Sequence, residues 1–74
     1  MPARYNRVKK ALRKLGITVH ERKARGSHVV INDDQGRVYT LPCHQGERTM
    51  LSDVYLRALC RCFDLDYEKL RKYL

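Results

Sequence analysis

A chain of 74 residues is expected to form a single domain, whose core is limited to one small sheet and a few helices. Lysine and arginine number 16 against 8 acidic residues, which gives a formal charge of +8 with neutral histidines. This excess favours a polyanionic partner, with nucleic acid ahead of an acidic protein or an anionic membrane. The sequence has no long apolar run and no apolar centre of a secretion signal, so we expect no membrane association.

The three cysteines, Cys43, Cys60 and Cys62, show no spacing typical of a disulfide framework, which predicts reduced thiols in a cytoplasm. Cys60 and Cys62 are two positions apart on a predicted helix, so their side chains should diverge. Cys43 and His44 are adjacent, which is poor geometry for two ligands of one ion. We therefore predict no metal and no cofactor; a structural zinc is the alternative.

Residues 4–15 predict a first helix with one apolar face and a basic remainder, ended by Gly16. Residues 17–22 alternate and are rich in β-formers, which predicts a first strand. On this strand Ile17, Val19 and Glu21 should point inward. The side chains expected to point outward are Thr18, His20 and Arg22.

Residues 28–32 and 37–41 predict a hairpin, because the turn formers of residues 32–36 separate them and Pro42 follows. A loop over residues 43–49 then leads to a second helix at about 52–63, with Ser52 as its N-cap. The predicted apolar face of that helix comprises Val54, Tyr55, Ala58, Leu59, Cys62 and Phe63. Asp66 should cap a short last helix over residues 67–73.

The predicted order is therefore α-β-β-β-α-α, an α+β fold. The short connections between strands favour a three-stranded antiparallel sheet with helices on one face. The other face is left for water or a partner.

The stretch from Lys23 to Ile31 is the strongest candidate for a functional site. Lys23 and Arg25 precede Gly26-Ser27-His28, and a β-branched run follows. His28 should therefore begin a strand, next to positive charge, after a glycine that permits a sharp turn or a close approach. A surface or packing histidine is the alternative interpretation.

Several motifs together resemble HicA-type toxins of HicA–HicB toxin–antitoxin systems. The first two are Leu12-Arg13-Lys14-Leu15-Gly16-Ile17 and Gly26-Ser27-His28. The third is Gly36-Arg37 followed by Thr40-Leu41-Pro42-Cys43-His44-Gln45-Gly46, and the last is Leu65-Asp66-Tyr67-Glu68-Lys69-Leu70. The resemblance spans nearly the whole chain. The chain departs from the family pattern at Leu51-Ser52-Asp53 and Cys62-Phe63-Asp64, which affects the expected partner surface more than the chemistry.

The resemblance implies a fold like a double-stranded-RNA-binding domain and an mRNA-cleaving activity independent of the ribosome. It implies a cytoplasmic protein that is a monomer when free and forms a hetero-oligomer with a HicB-type antitoxin. The active histidine of the family matches His28.

RNA carries the 2′-hydroxyl nucleophile that DNA lacks, and a metal-free cleavage needs a base to remove its proton. We hypothesise that His28 is that base and that Lys23 with Arg25 stabilises the charge on phosphorus. Ser27 would bond a phosphate oxygen or merely cap the turn, and Gly26 would give the RNA backbone room.

His44 is the candidate second acid or base; a hydrogen bond that orders its loop is the favoured alternative. Two other functions compete with the toxin ribonuclease. One is a non-catalytic RNA-binding module of the same fold, and the other is an inactive protein that binds an acidic antitoxin.

Overall fold

The computed structural model describes residues 2–23, 26 and 28–74. Its helices and strands, in chain order, are β1 (Ala3–Arg4), α1 (Tyr5–Lys14), β2 (His20–Lys23), β3 (His28–Asn32), β4 (Val38–Pro42), a 3-10 helix (Gly46–Arg48), β5 (Met50–Leu51), α2 (Asp53–Cys62) and α3 (Tyr67–Lys72). The predicted α+β fold is confirmed, and the structure adds β1, β5 and the 3-10 helix.

Strands β2, β3 and β4 form an antiparallel sheet in that order. The predicted turn between β3 and β4 is held by Asp33, whose Oδ1 accepts from the backbone N–H groups of Gln35 (3.0 Å) and Arg37 (2.9 Å). The Nε of Arg37 donates to Asp33 Oδ2 at 2.7 Å. Burial opposes ionisation of Asp33, but these hydrogen bonds outweigh it and lower its pKa. Gly36 supplies the positive φ of +81° that the turn requires.

One face of the sheet contributes to the core and the other is open. Ile31 and Leu41 are buried on the first face, and Val29 and Tyr39 pack beside them. Because side chains alternate along a strand, His28 lies on the open face. The other residues of the open face are His20, Arg22, Val30, Asn32, Val38, Thr40 and Pro42.

Helix α1 ends in a Schellman motif, which explains why β2 starts later than predicted. The N–H of Gly16 donates to Arg13 O and that of Ile17 to Leu12 O, both at 3.0 Å, and Gly16 has φ +85°. Ile17 is therefore part of the helix cap. The pairing of β2 with β3 begins only at His20, which is opposite Asn32, the last residue of β3. The predicted exposure of Thr18, His20 and Arg22 is confirmed.

The predicted apolar face of α2 is right for Leu59 and Phe63 and wrong for its first turn, where Val54 and Tyr55 are exposed. The helix buries Leu56, Leu59 and Cys60, with Phe63 just after it, whereas Val54 is 73% exposed. Spacings of three and four residues between 56, 59, 60 and 63 form a complete helical stripe, of which the prediction had Leu59 and Phe63 but not Leu56 and Cys60. Ser52 is at the N-cap position, but its side chain makes no capping bond. Asp66 does cap α3, by accepting from the N–H of Glu68 at 2.9 Å.

The three cysteines are free thiols, and Cys60 and Cys62 diverge as predicted. Cys60 is buried in the core, which raises its pKa, whereas Cys62 Sγ donates to the carbonyl oxygen of Val38 at 3.1 Å. Within the described part of the chain, none of the helices has both the length and the apolar character needed to cross a membrane.

Candidate active site

The structure brings His28 and His44 together at one end of the sheet. His28 is the first residue of β3, opposite Pro42 at the end of β4, and His44 follows two residues later. Their ring centroids are 6.4 Å apart, with an interplanar angle of 66°. Both side chains are exposed, and neither imidazole has a hydrogen-bond partner among the residues described. We call these two residues the histidine pair.

The register places Arg22, rather than Lys23, on the face of the sheet that carries His28. Arg22 is opposite Val30, which lies two residues after His28 and therefore on the same face. Lys23 is opposite Val29, whose side chain packs against the core. The predicted role of Lys23 at phosphorus is untested, and the alternation favours Arg22 as the cation that shares a surface with the histidine pair.

Among the other predicted RNA-binding residues, Gly26 is exposed in the β2–β3 turn with a φ of +68°. A residue with a side chain would be strained in that conformation, so the glycine is required by the turn itself. Its predicted clearance for RNA is untested. Arg25 and Ser27 lie outside the described residues.

The loop that carries His44 is fixed by the buried Thr49. Thr49 Oγ1 accepts from the N–H of Gln45 at 3.0 Å and lies 3.7 Å from Cys43 Sγ, to which it donates. Cys43 Sγ in turn donates to the carbonyl oxygen of Gly46 at 3.1 Å. The backbone oxygen of Thr49 accepts from the N–H of Tyr5 at 2.8 Å, which ties the loop to the start of α1. His44 is therefore held by its backbone while its ring stays available.

A hydrogen-bonded network joins α1, β2 and this loop on the core side of the sheet. The hydroxyl of Tyr5 donates to Glu21 Oε2 at 2.5 Å. The Nζ of Lys9 donates to Glu21 Oε1 at 3.1 Å and to Glu47 Oε1 at 2.7 Å, and it lies 4.9 Å from the centroid of the Tyr5 ring. The Lys9 side chain is only 13% exposed, so this ammonium is partly desolvated.

The network fixes the charge state of its members. Burial and the hydrogen bond to Glu21 raise the pKa of Tyr5, so its hydroxyl remains a donor. The hydrogen bond from Tyr5 lowers the pKa of Glu21, assisted by Lys9 and opposed by burial. Burial opposes the charge on Lys9, but its bonds to Glu47 and Glu21 raise its pKa overall. Glu21 is thus a carboxylate over the whole neutral range.

This network predicts a loss of stability in acid that depends on Glu21. Because the pKa of Glu21 is lower in the folded state, its contribution is complete above the ordinary value of 4.5 and is lost as the pH falls through the folded pKa. We expect the Tm of Glu21→Gln to fall less than that of the native protein between about pH 6 and about pH 3. Glu68→Gln, an exposed carboxyl on α3, should follow the native curve. Parallel curves for all three proteins would contradict the prediction.

A cavity of about 350 Å³ opens beside the histidine pair, between α1, β2 and the His44 loop. We call it the strand-end cavity. It is lined by Tyr5, Glu21, Arg22, Lys23, Val29, Cys43, Gly46 and Glu47. Val29 and Cys43 are the chain neighbours of His28 and His44, so the cavity and the histidine pair share one end of the sheet.

Over the described residues, His, Cys, Asp and Glu side chains form no group of three or more that could hold a metal ion. The predicted absence of a metal and of a cofactor stays a prediction. The site has two exposed imidazoles, which accept and donate no hydrogen bond among the described residues, and an arginine on the same face of the sheet. Imidazole accepts or donates a proton near neutral pH, so such a pair can act as base and acid in one reaction.

The sequence prediction missed Arg22, Thr49 and Glu47 as residues of this region. The alternation of β2 already placed Arg22 on the outward side; the missing information was the pairing with β3 that puts this side on the face of His28. Thr49 and Glu47 act through contacts with α1 and with the loop itself, and no local pattern reports such contacts.

No family model matches the chain, and no curated protein matches it. The resemblance to HicA-type toxins therefore rests on the sequence motifs alone.

Proposed function

We propose that this protein is a metal-independent endoribonuclease whose base and acid are His28 and His44. The observation that carries the proposal is the exposed histidine pair, with ring centroids 6.4 Å apart. General acid–base catalysis requires hydrogen bonds of about 2.6–3.2 Å from each catalytic group to its reacting atom. Two exposed rings at this separation can both approach the same phosphodiester.

In the proposed reaction His28 removes the proton of a ribose 2′-hydroxyl, and the 2′-oxygen attacks the adjacent phosphorus. The bond to the 5′-oxygen breaks, and His44 gives that oxygen a proton. The products are a 2′,3′-cyclic phosphate and a 5′-hydroxyl, and exchange with water restores both imidazoles. Arg22 shares the face of His28 and would stabilise the charge on phosphorus.

The biological role that fits this reaction is that of a cytoplasmic toxin of the HicA type, which cleaves mRNA and is neutralised by a HicB-type antitoxin. The net charge of +8 supports both an RNA substrate and an acidic protein partner. An acidic reading frame immediately beside this one would support the proposed antitoxin.

We further propose that the protein is a monomer when free and a hetero-oligomer with its antitoxin. Sedimentation of the free protein and of the complex tests this.

The reaction is tested by incubating the purified protein with a labelled RNA in EDTA. We expect cleavage, with cyclic phosphate ends on the products, and no cleavage of the same sequence made as DNA. A strand that is RNA except for one 2′-deoxyribose should resist cleavage at that position only. Cleavage of the DNA strand would contradict the proposed nucleophile.

A non-catalytic RNA-binding module is the second candidate, because the open sheet face and the charge serve binding as well as catalysis. Folded protein that binds RNA in low salt but never cleaves it would favour this function. Salt-dependent binding without cleavage, together with tight binding of an acidic antitoxin, would favour an inactive antitoxin-binding protein.

A further inference from the structure

The strand-end cavity lies next to the histidine pair but differs from it in chemistry. Val29 and Cys43, which line the cavity, adjoin His28 and His44 in the chain, and adjacent Cα atoms are about 3.8 Å apart. Val29 faces the core side of the sheet, whereas His28 lies on the open face. A nucleotide that crosses the end of the sheet can therefore contact both places at once.

The polar groups of the cavity suit a whole nucleotide, with carboxylates for the donors of its base and cations for its phosphate. Glu21 and Glu47 each present a carboxylate, and one ammonium, that of Lys9, bonds to both. Carboxylate oxygens accept hydrogen bonds from N–H groups, such as those on the edge of a base. Arg22 and Lys23, which also line the cavity, offer cations for the phosphate or ribose of the same nucleotide.

One carboxylate oxygen of Glu47 is available to accept a hydrogen bond from a ligand. Its Oε1 accepts from Lys9 at 2.7 Å, and its Oε2 has no partner among the residues that the structure describes. The side chain is 66% exposed, so it can approach a ligand without unfolding the loop. Each carboxylate oxygen has two lone pairs, so both oxygens of Glu47 can accept from one ligand edge.

The remaining lining and the volume also match a nucleobase. Val29, Cys43 and Tyr5 provide apolar surface for the flat face of a ring. The volume of about 350 Å³ is within the range of about 300–1,000 Å³ for small-molecule sites. Bases in single-stranded RNA are recognised by such contacts together with hydrogen bonds to their Watson–Crick edges.

We propose that the strand-end cavity binds one base of the RNA substrate, next to the scissile phosphate, and that Glu47 recognises N–H donors on its Watson–Crick edge. Guanine fits best, because its N1–H and N2–H groups are parallel donors that both oxygens of one carboxylate can accept. Uracil has only one donor on its Watson–Crick edge, N3–H. The inference rests on the proposed function, because the bound base would be the feature of the RNA that selects the position of cleavage.

The test is an NMR titration of the native protein with each of the four nucleoside 5′-monophosphates, which contain no bond for the enzyme to cleave. We expect GMP to shift the Val29 methyl groups and the Gly46 amide, with a Kd about tenfold lower than that of UMP. Glu47→Gln replaces one acceptor with a donor and should bring the two Kd values within about threefold. Glu68→Gln, a carboxylate on α3, should keep the native preference.

Three outcomes would overturn the inference. The first is equal binding of all four nucleotides. The second is that inorganic phosphate shifts Val29 and Gly46 as GMP does. In the third, arginine amide shifts them and GMP does not, which would indicate a basic peptide as the ligand. A base preference without RNA cleavage would reject the proposed reaction alone, and cleavage without a base preference would reject the cavity assignment alone.

Discussion

Replacing His28 with alanine is expected to reduce the rate of RNA cleavage by about 10²- to 10⁴-fold, the usual contribution of a general base. The side chain is exposed and has no hydrogen-bond partner in the part of the chain that the structure describes, so its removal should leave folding and RNA binding unchanged. The measurement is the single-turnover cleavage rate, with circular dichroism for folding and fluorescence anisotropy for RNA affinity.

His44→Ala should cause a loss of similar size, and the double variant should be little worse than either single one, because the two groups act in one step. His20→Ala is the matched control. His20 is also an exposed histidine of the open face, but its Nε2 lies 2.8 Å from Asp34 Oδ1, away from the pair. A contaminating nuclease would act equally in every preparation. Full activity in folded His28→Ala would overturn the proposed mechanism.

Replacing Leu56 with alanine is expected to lower the free energy of unfolding by about 2–5 kcal/mol, since it leaves a cavity where a fully buried side chain packed. In a domain with a total stability of about 5–15 kcal/mol, that is a large share. Urea unfolding followed by circular dichroism measures the change. Leu56→Met, which keeps the volume, should lose less than about 1.5 kcal/mol and should fold in any case.

Val54→Ala is the control, because Val54 lies two positions away on the same helix and is 73% exposed. It should change stability by less than about 0.5 kcal/mol. The opposite result, a larger loss for Val54→Ala than for Leu56→Ala, would show that the helix is rotated toward the face first predicted from the sequence.

The elements that sequence periodicity predicts correctly are those whose signals are local. The helix over α1, the hairpin of β3 and β4 and the cap at Asp66 all follow from residues close in the chain. Strands β1 and β5 have two residues each and pair segments from distant parts of the sequence, so no local pattern could reveal them. The rotation of α2 is decided by the core it meets, and Val54 and Leu56 are equally apolar choices until that core is known.

In the candidate active site, too, only the features with local signals could be predicted. His28 at the start of a strand could be predicted, since a β-branched run follows it. Its proximity to His44 could not, because that depends on the path of a loop fixed by Thr49 and by the backbone of Tyr5. The predicted sides of β2 were right, but which of them shares a face with His28 depends on the pairing of β2 with β3, which the sequence alone does not give.

The pairing of Ala3–Arg4 with Met50–Leu51 has a consequence for the order of folding. Joining segments so far apart costs chain entropy, so hairpins such as β3–β4 form more easily than this long-range pair. The His44 loop lies between β4 and β5 and takes its anchor from the start of α1. On the ribosome, the hairpin with His28 can form early, but the histidine pair is assembled only after synthesis has passed Leu51. A nascent chain with the proposed activity would therefore be unable to cleave RNA until the β5 segment has been made.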